Sequence, residues 1–267
     1  MRHMALATGR YACMTGALVW ALMQPLAAQA GRACEAQGLP TASVQKGLGL
    51  AERTLHHLDR SGAQVVMLAR VGQDLGRYGL RYSHLGFAYR EGRTWRVVHK
   101  LNHCGTDRAA LYRQGLGDFF LDTPFDYEAG VVVLAPVVQA RLLPVLKDTQ
   151  AVRALHTPSY NMLAYPWAQR FQQSNQWAIE TLAMAMDESA TQRDRAQAWL
   201  KLKGYEPTEL HLSTFTRLGA RMTQANISFD DHPGYLRFSS RIRTVTVDSV
   251  FDWLVRARLG VPVQVVR

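Results

Sequence analysis

The 267-residue chain contains three cysteines, Cys13, Cys34 and Cys104. It has no CxxC pair and no HExxH string, which removes the common zinc-ribbon and zincin patterns. His56 and His57 fall on a predicted helix and fit no metal-ligand spacing, so neither a metal nor a cofactor is expected. There is no glycine-rich phosphate loop. The GLGD string at Gly115–Asp118 lacks both the strand–loop–helix spacing and the lysine that such a loop needs. The charge is lopsided, with 31 Lys+Arg against 21 Asp+Glu. These cations are scattered, however, with no Lys/Arg-rich run and no basic-aromatic repeat, which argues against nucleic-acid binding. A diffuse positive surface suits solubility or an anionic envelope.

The first residues do carry a pattern. Arg2 and Arg10 precede a mostly apolar run from Tyr11 to Ala27, with no acidic residue among them. The run ends in Leu26-Ala27-Ala28-Gln29-Ala30. A basic start, a short apolar middle and small residues at −3 and −1 form a secretory signal, with cleavage expected after Ala30. A membrane-spanning helix needs about 20 apolar residues. This run is shorter and is broken by Thr15, Gln24 and Pro25, and no second stretch of spanning length follows. The expected product is a single domain, residues 31–267, in the periplasm or outside the cell. Cys13 would leave with the signal, and the oxidising compartment favours a disulfide between Cys34 and Cys104. The alternative is a reactive Cys104 thiol beside His103.

Apolar spacing predicts a helix over Val44–Leu58 and a buried strand over Gln64–Val71. Two β-rich runs, Ser83–Arg90 and Thr94–Asn102, flank Glu91-Gly92-Arg93 and read as an antiparallel hairpin. A further strand is predicted over Tyr127–Leu134. Pro136 then stands at a helix start, with the helix itself over Val137–Leu146. Ser174–Met186 is a strong helix, with Ser174 at the N-cap. Helices over Thr191–Lys203 and Ser249–Leu259 and a strand over Arg241–Val247 complete an α+β pattern.

Three residues make a candidate site. Ser174 opens the long helix, where the dipole and free N–H groups favour negative charge and can hold an oxyanion. His84 opens one hairpin strand and can take the hydroxyl proton. His99 lies on the facing strand and can fix the His84 tautomer. Asn175, Tyr160 and Asn161 are expected to line the site and contact substrate. A polar region from Asn102 through Asp107 to Asp118–Asp122 could line a cleft. Taken singly, Ser174 is a helix cap worth about 1 kcal/mol, and either histidine is an ordinary strand residue.

The segment SHLGFAYREGRTWRVVH resembles the histidine-bearing hairpin of papain-like cell-wall amidases and peptidases of the NlpC type. QSNQWAIETLA resembles their nucleophile helix, with Ser174 where those proteins place cysteine. The hairpin precedes the helix, an order similar to the circularly permuted branch that includes YiiX-like and lecithin:retinol acyltransferase-like proteins. SHLGF, HKLNHCGT, LYRQGLGDFF and SNQW together resemble the uncharacterised bacterial domain-of-unknown-function family 2145, over nearly the whole mature chain. The papain-like resemblance implies an antiparallel sheet packed on the Ser174 helix. It also implies an amide or ester hydrolase acting on a cell-envelope peptide or acyl group, with Ser174 as nucleophile, His84 as base and His99 as orienter. Serine in place of cysteine weakens the nucleophile and makes it more dependent on its base. The second expectation is therefore an inactive protein on the same fold that binds wall peptide or glycan, or serves as an accessory in the envelope.

Overall fold

The computed structural model describes residues 38–121, 124–213 and 225–267. The expected signal segment and cleavage position, Cys34 and Asp122 lie outside these residues. The central feature is a six-stranded antiparallel sheet in the order β4-β3-β2-β1-β5-β8. It comprises β1 (Val65–Val71), β2 (His84–Glu91), β3 (Thr94–Asn102), β4 (Ala109–Gly115), β5 (Asp126–Val133) and β8 (Gln264–Val266). A second ladder pairs β6 (Thr208–His211) with β7 (Arg241–Thr244).

The β2–β3 hairpin forms where Gly92, at φ 61°, takes the left-handed turn that a side chain would oppose. Its register pairs Glu91 with Thr94 and Phe87 with Val98. β4, which apolar spacing does not predict, extends the hairpin by pairing Val98 with Arg113 and His99 with Tyr112. Strand β1 is buried along its whole length because it lies inside the sheet with both faces covered.

Side-chain alternation sorts the sheet into two faces. Val66, Leu68, Ala88, Trp95, Val97 and Val131 pack with Leu50 and Leu58 of α1 (Thr41–Ser61) and with Phe119 and Phe120 of α2 (Leu116–Phe120). Leu85, Phe87, Val98 and Val132 pack on the other face, against α3 (Pro136–Lys147) and α4 (Ser174–Met186). The Phe87 and Trp177 rings meet edge to face at 6.1 Å. Helices α5 (Arg193–Leu202) and α7 (Val247–Arg256) join this second layer through Trp199 and Trp253. The short α6 (Gly234–Arg237) precedes β7. Among the described residues, no helix is long and apolar enough to cross a membrane.

Helix α4 begins and ends where its sequence predicts, but its cap differs. Gln173, in extended conformation, occupies the N-cap, and Ser174 is the first helical residue. Every residue from Ser174 to Ala183 is buried. A helix enclosed on all sides draws most of its polar side chains into internal bonds, though Gln176 Oε1, Trp177 Nε1 and Thr181 Oγ1 are buried without a hydrogen-bond partner among the described residues.

Candidate functional site

His84 and His99 come together as their places on neighbouring strands predict. His99 stands opposite Gly86, one step beyond the Phe87–Val98 pair. The approach is close, since a Cβ on Gly86 would lie 2.8 Å from the His99 Cβ. His84 Nε2 lies 2.8 Å from His99 Nδ1, and His99 Nε2 lies 2.7 Å from Gln114 Oε1. The amide oxygen accepts only, so His99 Nε2 carries a proton and donates it. His99 Nδ1 is then a lone pair, which accepts from the His84 Nε2–H. The chain Gln114–His99–His84 thereby leaves His84 Nδ1 as the outward acceptor. Gln114 was not singled out in the sequence. Its alternation within LYRQG is the signal that could have found it.

The pair is desolvated. His99 is fully buried and His84 partly exposed. Burial first, then the Arg70 cation, push the His99 imidazole down to about 4, against the Gln114 hydrogen bond that raises it. Burial, Arg70 and His99 hold His84 well below the ordinary histidine range. Arg70 stands beside His84 in the β1–β2 register. Its guanidinium donates to the Phe119 carbonyl and lies 4.9 Å from the centre of that ring.

Ser174 does not join this pair. Both imidazoles share the face of Ala88 and Val97 and pack on Phe119, at ring separations of 6.0 and 5.2 Å. Helix α4 packs on the opposite face, against Leu85, Phe87 and Val98. Alternation turns Leu85, not His84, toward α4. Ser174 is buried, and so is Tyr160. Helix α4, which carries Ser174, and the His84 imidazole thus belong to opposite faces of β2.

The expected binding residues have internal work as well. Asn175 accepts from the Leu85 N–H at 3.2 Å and donates to the Val245 carbonyl at 3.3 Å, pinning α4 to β2 and to the approach of α7. Asn161 accepts from Leu163 and Ser228 N–H groups and donates to the Ser228 carbonyl. Tyr160 is buried. These side chains hold the protein together rather than face a substrate. Among the described residues, no group of three His, Cys, Asp or Glu side chains converges as a metal site.

A second polar system lies on the α4 face, and nothing in the sequence reading singled it out. Glu180 is fully buried and meets Arg193 through Nε–Oε2 at 2.8 Å and Nη2–Oε1 at 3.1 Å. Gln172, Gln176 and Gln197 each donate a side-chain N–H to the same carboxylate. Lys100 donates to the carbonyls of Thr157 and Gln172 and to Gln172 Oε1, at 2.7–2.8 Å. Burial and the Arg193 cation push Lys100 down. The Glu180 charge pulls the other way, and the three acceptors leave one partner for each ammonium proton. A carboxylate three residues after Trp177, on the same helical face as that buried ring, was the available hint.

The fold and these two polar systems define an α+β protein built on an antiparallel sheet with helices on both faces. The family model described as "Uncharacterized protein conserved in bacteria (DUF2145)" matches residues 57–254, and the chain belongs to that family. No curated protein and no solved structure matches the chain.

Proposed function

We propose that this is an exported cell-envelope protein of papain-like descent whose catalytic set is not assembled, and that it acts by binding an envelope peptide or glycan or as an accessory there. The observation that carries this reading is the opposed placement of His84 and Ser174 on two faces of one sheet. A hydroxyl cannot pass its proton to an imidazole through a packed β-sheet. The burial of Ser174 and the structural bonds of Asn175 point the same way. Export rests on the basic, apolar and small-residue pattern of the first thirty residues. The Cys34–Cys104 pairing rests on that compartment.

A serine-directed fluorophosphonate should leave the purified protein unlabelled. Ser174→Ala should leave binding to isolated wall fragments unchanged and cost no more than about 1 kcal/mol of stability, the scale of one hydrogen bond. Stoichiometric labelling that disappears in Ser174→Ala would restore the hydrolase reading.

Export has its own test. Expression of the full chain in a Gram-negative host should yield a periplasmic product whose N-terminal residue by mass spectrometry is Gly31. A cytoplasmic product still carrying Met1 would remove the envelope assignment.

A further inference from the structure

We propose that the Gln114–His99–His84 chain and Arg70 form an acid-responsive latch that holds α2 on the sheet and releases it when the chain takes up a proton. The inference rests on geometry independent of the binding reading above. Helix α2 has five residues, far too few to be stable alone in water. Its place depends on what touches it. On the sheet side Phe119 and Phe120 join the apolar cluster of Val66, Ala88, Trp95 and Val97, and the polar contacts are the His84 and His99 rings against Phe119, and Arg70, which holds both the Phe119 carbonyl and its ring.

The order of protonation follows from the bonding. His84 Nδ1 is the one ring nitrogen of the pair outside the hydrogen-bond chain. A first proton lands there and leaves the bond to His99 intact, but it makes His84 a cation beside Arg70, its partner across the β1–β2 ladder. A second proton needs His99 Nδ1, which would set two N–H groups against each other across 2.8 Å and break the chain. Among the described residues, the charged or titratable groups facing the pair are Arg70 from β1 and Tyr112 from β4, 6.5 Å from the His99 ring centre. Helix α2 presents the uncharged Phe119. Positive charge added at this point works against Arg70, the residue that grips α2. Release would bare Phe119 and Phe120, both fully buried in the closed state.

The test is amide hydrogen exchange on the intact protein at pH 7.5 and pH 5.0, corrected for intrinsic rates, comparing residues 116–121 with residues 177–183 of α4. Exchange over 116–121 should rise at least about tenfold relative to α4 at the lower pH, the factor that corresponds to about 1.4 kcal/mol. In His84→Gln, which keeps a donor for His99 but cannot take the proton, the ratio should stay flat. In Gln114→Glu, a carboxylate behind His99 stabilises the protonated pair in the closed state, so the opening should weaken and move to lower pH. An α2 response equal to that of α4 would mean global acid unfolding and overturn the proposal. So would a flat wild-type ratio, or an undiminished response in His84→Gln.

Discussion

Replacing Glu180 with alanine is expected to cost about 3–5 kcal/mol of unfolding free energy, the largest effect of any single polar substitution in this protein. Its carboxylate is the one anion among two buried cations, Arg193 and Lys100, and three amide donors. Removing it leaves Arg193 charged in a site where its remaining acceptors are backbone carbonyls and the Thr157 hydroxyl. Gln172 would also lose the acceptor that orients it beneath Lys100. Burying an uncompensated charge costs more than the intact pair contributes. The double replacement Glu180→Gln with Arg193→Met, which removes both charges at similar volume, should therefore recover much of the loss. Urea unfolding followed by tryptophan fluorescence measures all three proteins. A single-variant loss below about 1 kcal/mol would mean that water or a shifted side chain reaches the site and the cluster is not sealed.

The second large effect is on acid stability. His99 titrates near 6.5 in an unfolded chain but is pushed down to about 4 in the fold. Between those values the unfolded chain holds the extra proton, so stability rises with pH there. The contribution is fully present above about 6.5 and is lost as pH falls toward 4. The span of about 2.5 pH units corresponds to about 3 kcal/mol for this fully buried ring. His84 and His156 are displaced in the same direction, chiefly by burial, and steepen the same window. Glu128 adds loss at lower pH. Hydrogen bonds from Arg81, Arg267 and Tyr82 hold its carboxyl down to about 2, so its contribution is present above its unfolded value and fades as pH falls through the folded one. His99→Gln should be less stable than wild type at pH 7.5, but should lose about 3 kcal/mol less between pH 6.5 and pH 4. Parallel stability curves for the two proteins would refute the assignment.

Much of the architecture was readable because the hydrophobic pattern was strong. The β2–β3 hairpin, the buried β1 and both ends of α4 follow directly from apolar spacing and a glycine turn. Strand β4 was not readable, because Tyr112, Arg113 and Gln114 look like a surface loop until β3 is placed beside them. Strand β8 is preceded by Pro262, which interrupts a valine alternation in VPVQVVR.

The pairing of His84 with His99 was legible because hairpin register fixes which side chains share a face. Their separation from Ser174 was not, since strand periodicity says that two faces exist but not which one a distant helix will cover. The answer lay in Leu85 and Phe87, whose bulk gives α4 a surface to pack on, while Gly86 and Ala88 leave room for imidazoles on the other side. Glu180 and Arg193 drew no notice for a related reason. Charged residues on helices ordinarily face water, and only complete enclosure of α4 turns them inward.

The order of strands in the sheet also orders the events of folding. β2, β3 and β4 are sequence neighbours joined by short turns, so their ladders close at small entropic cost. The β1–β5 ladder pairs Val66 with Val133 across more than sixty intervening residues and brackets that whole meander. Helix α4 arrives later still in the chain. The histidine chain therefore belongs to the part of the molecule that can assemble from local contacts, and the Glu180 carboxylate likewise draws its partners from residues 172–197, with Lys100 the distant member that ties them back to β3. A nascent chain emerging from the ribosome N-terminus first completes these two polar sites at different times, the histidine chain before residues 172–197 of the second have appeared.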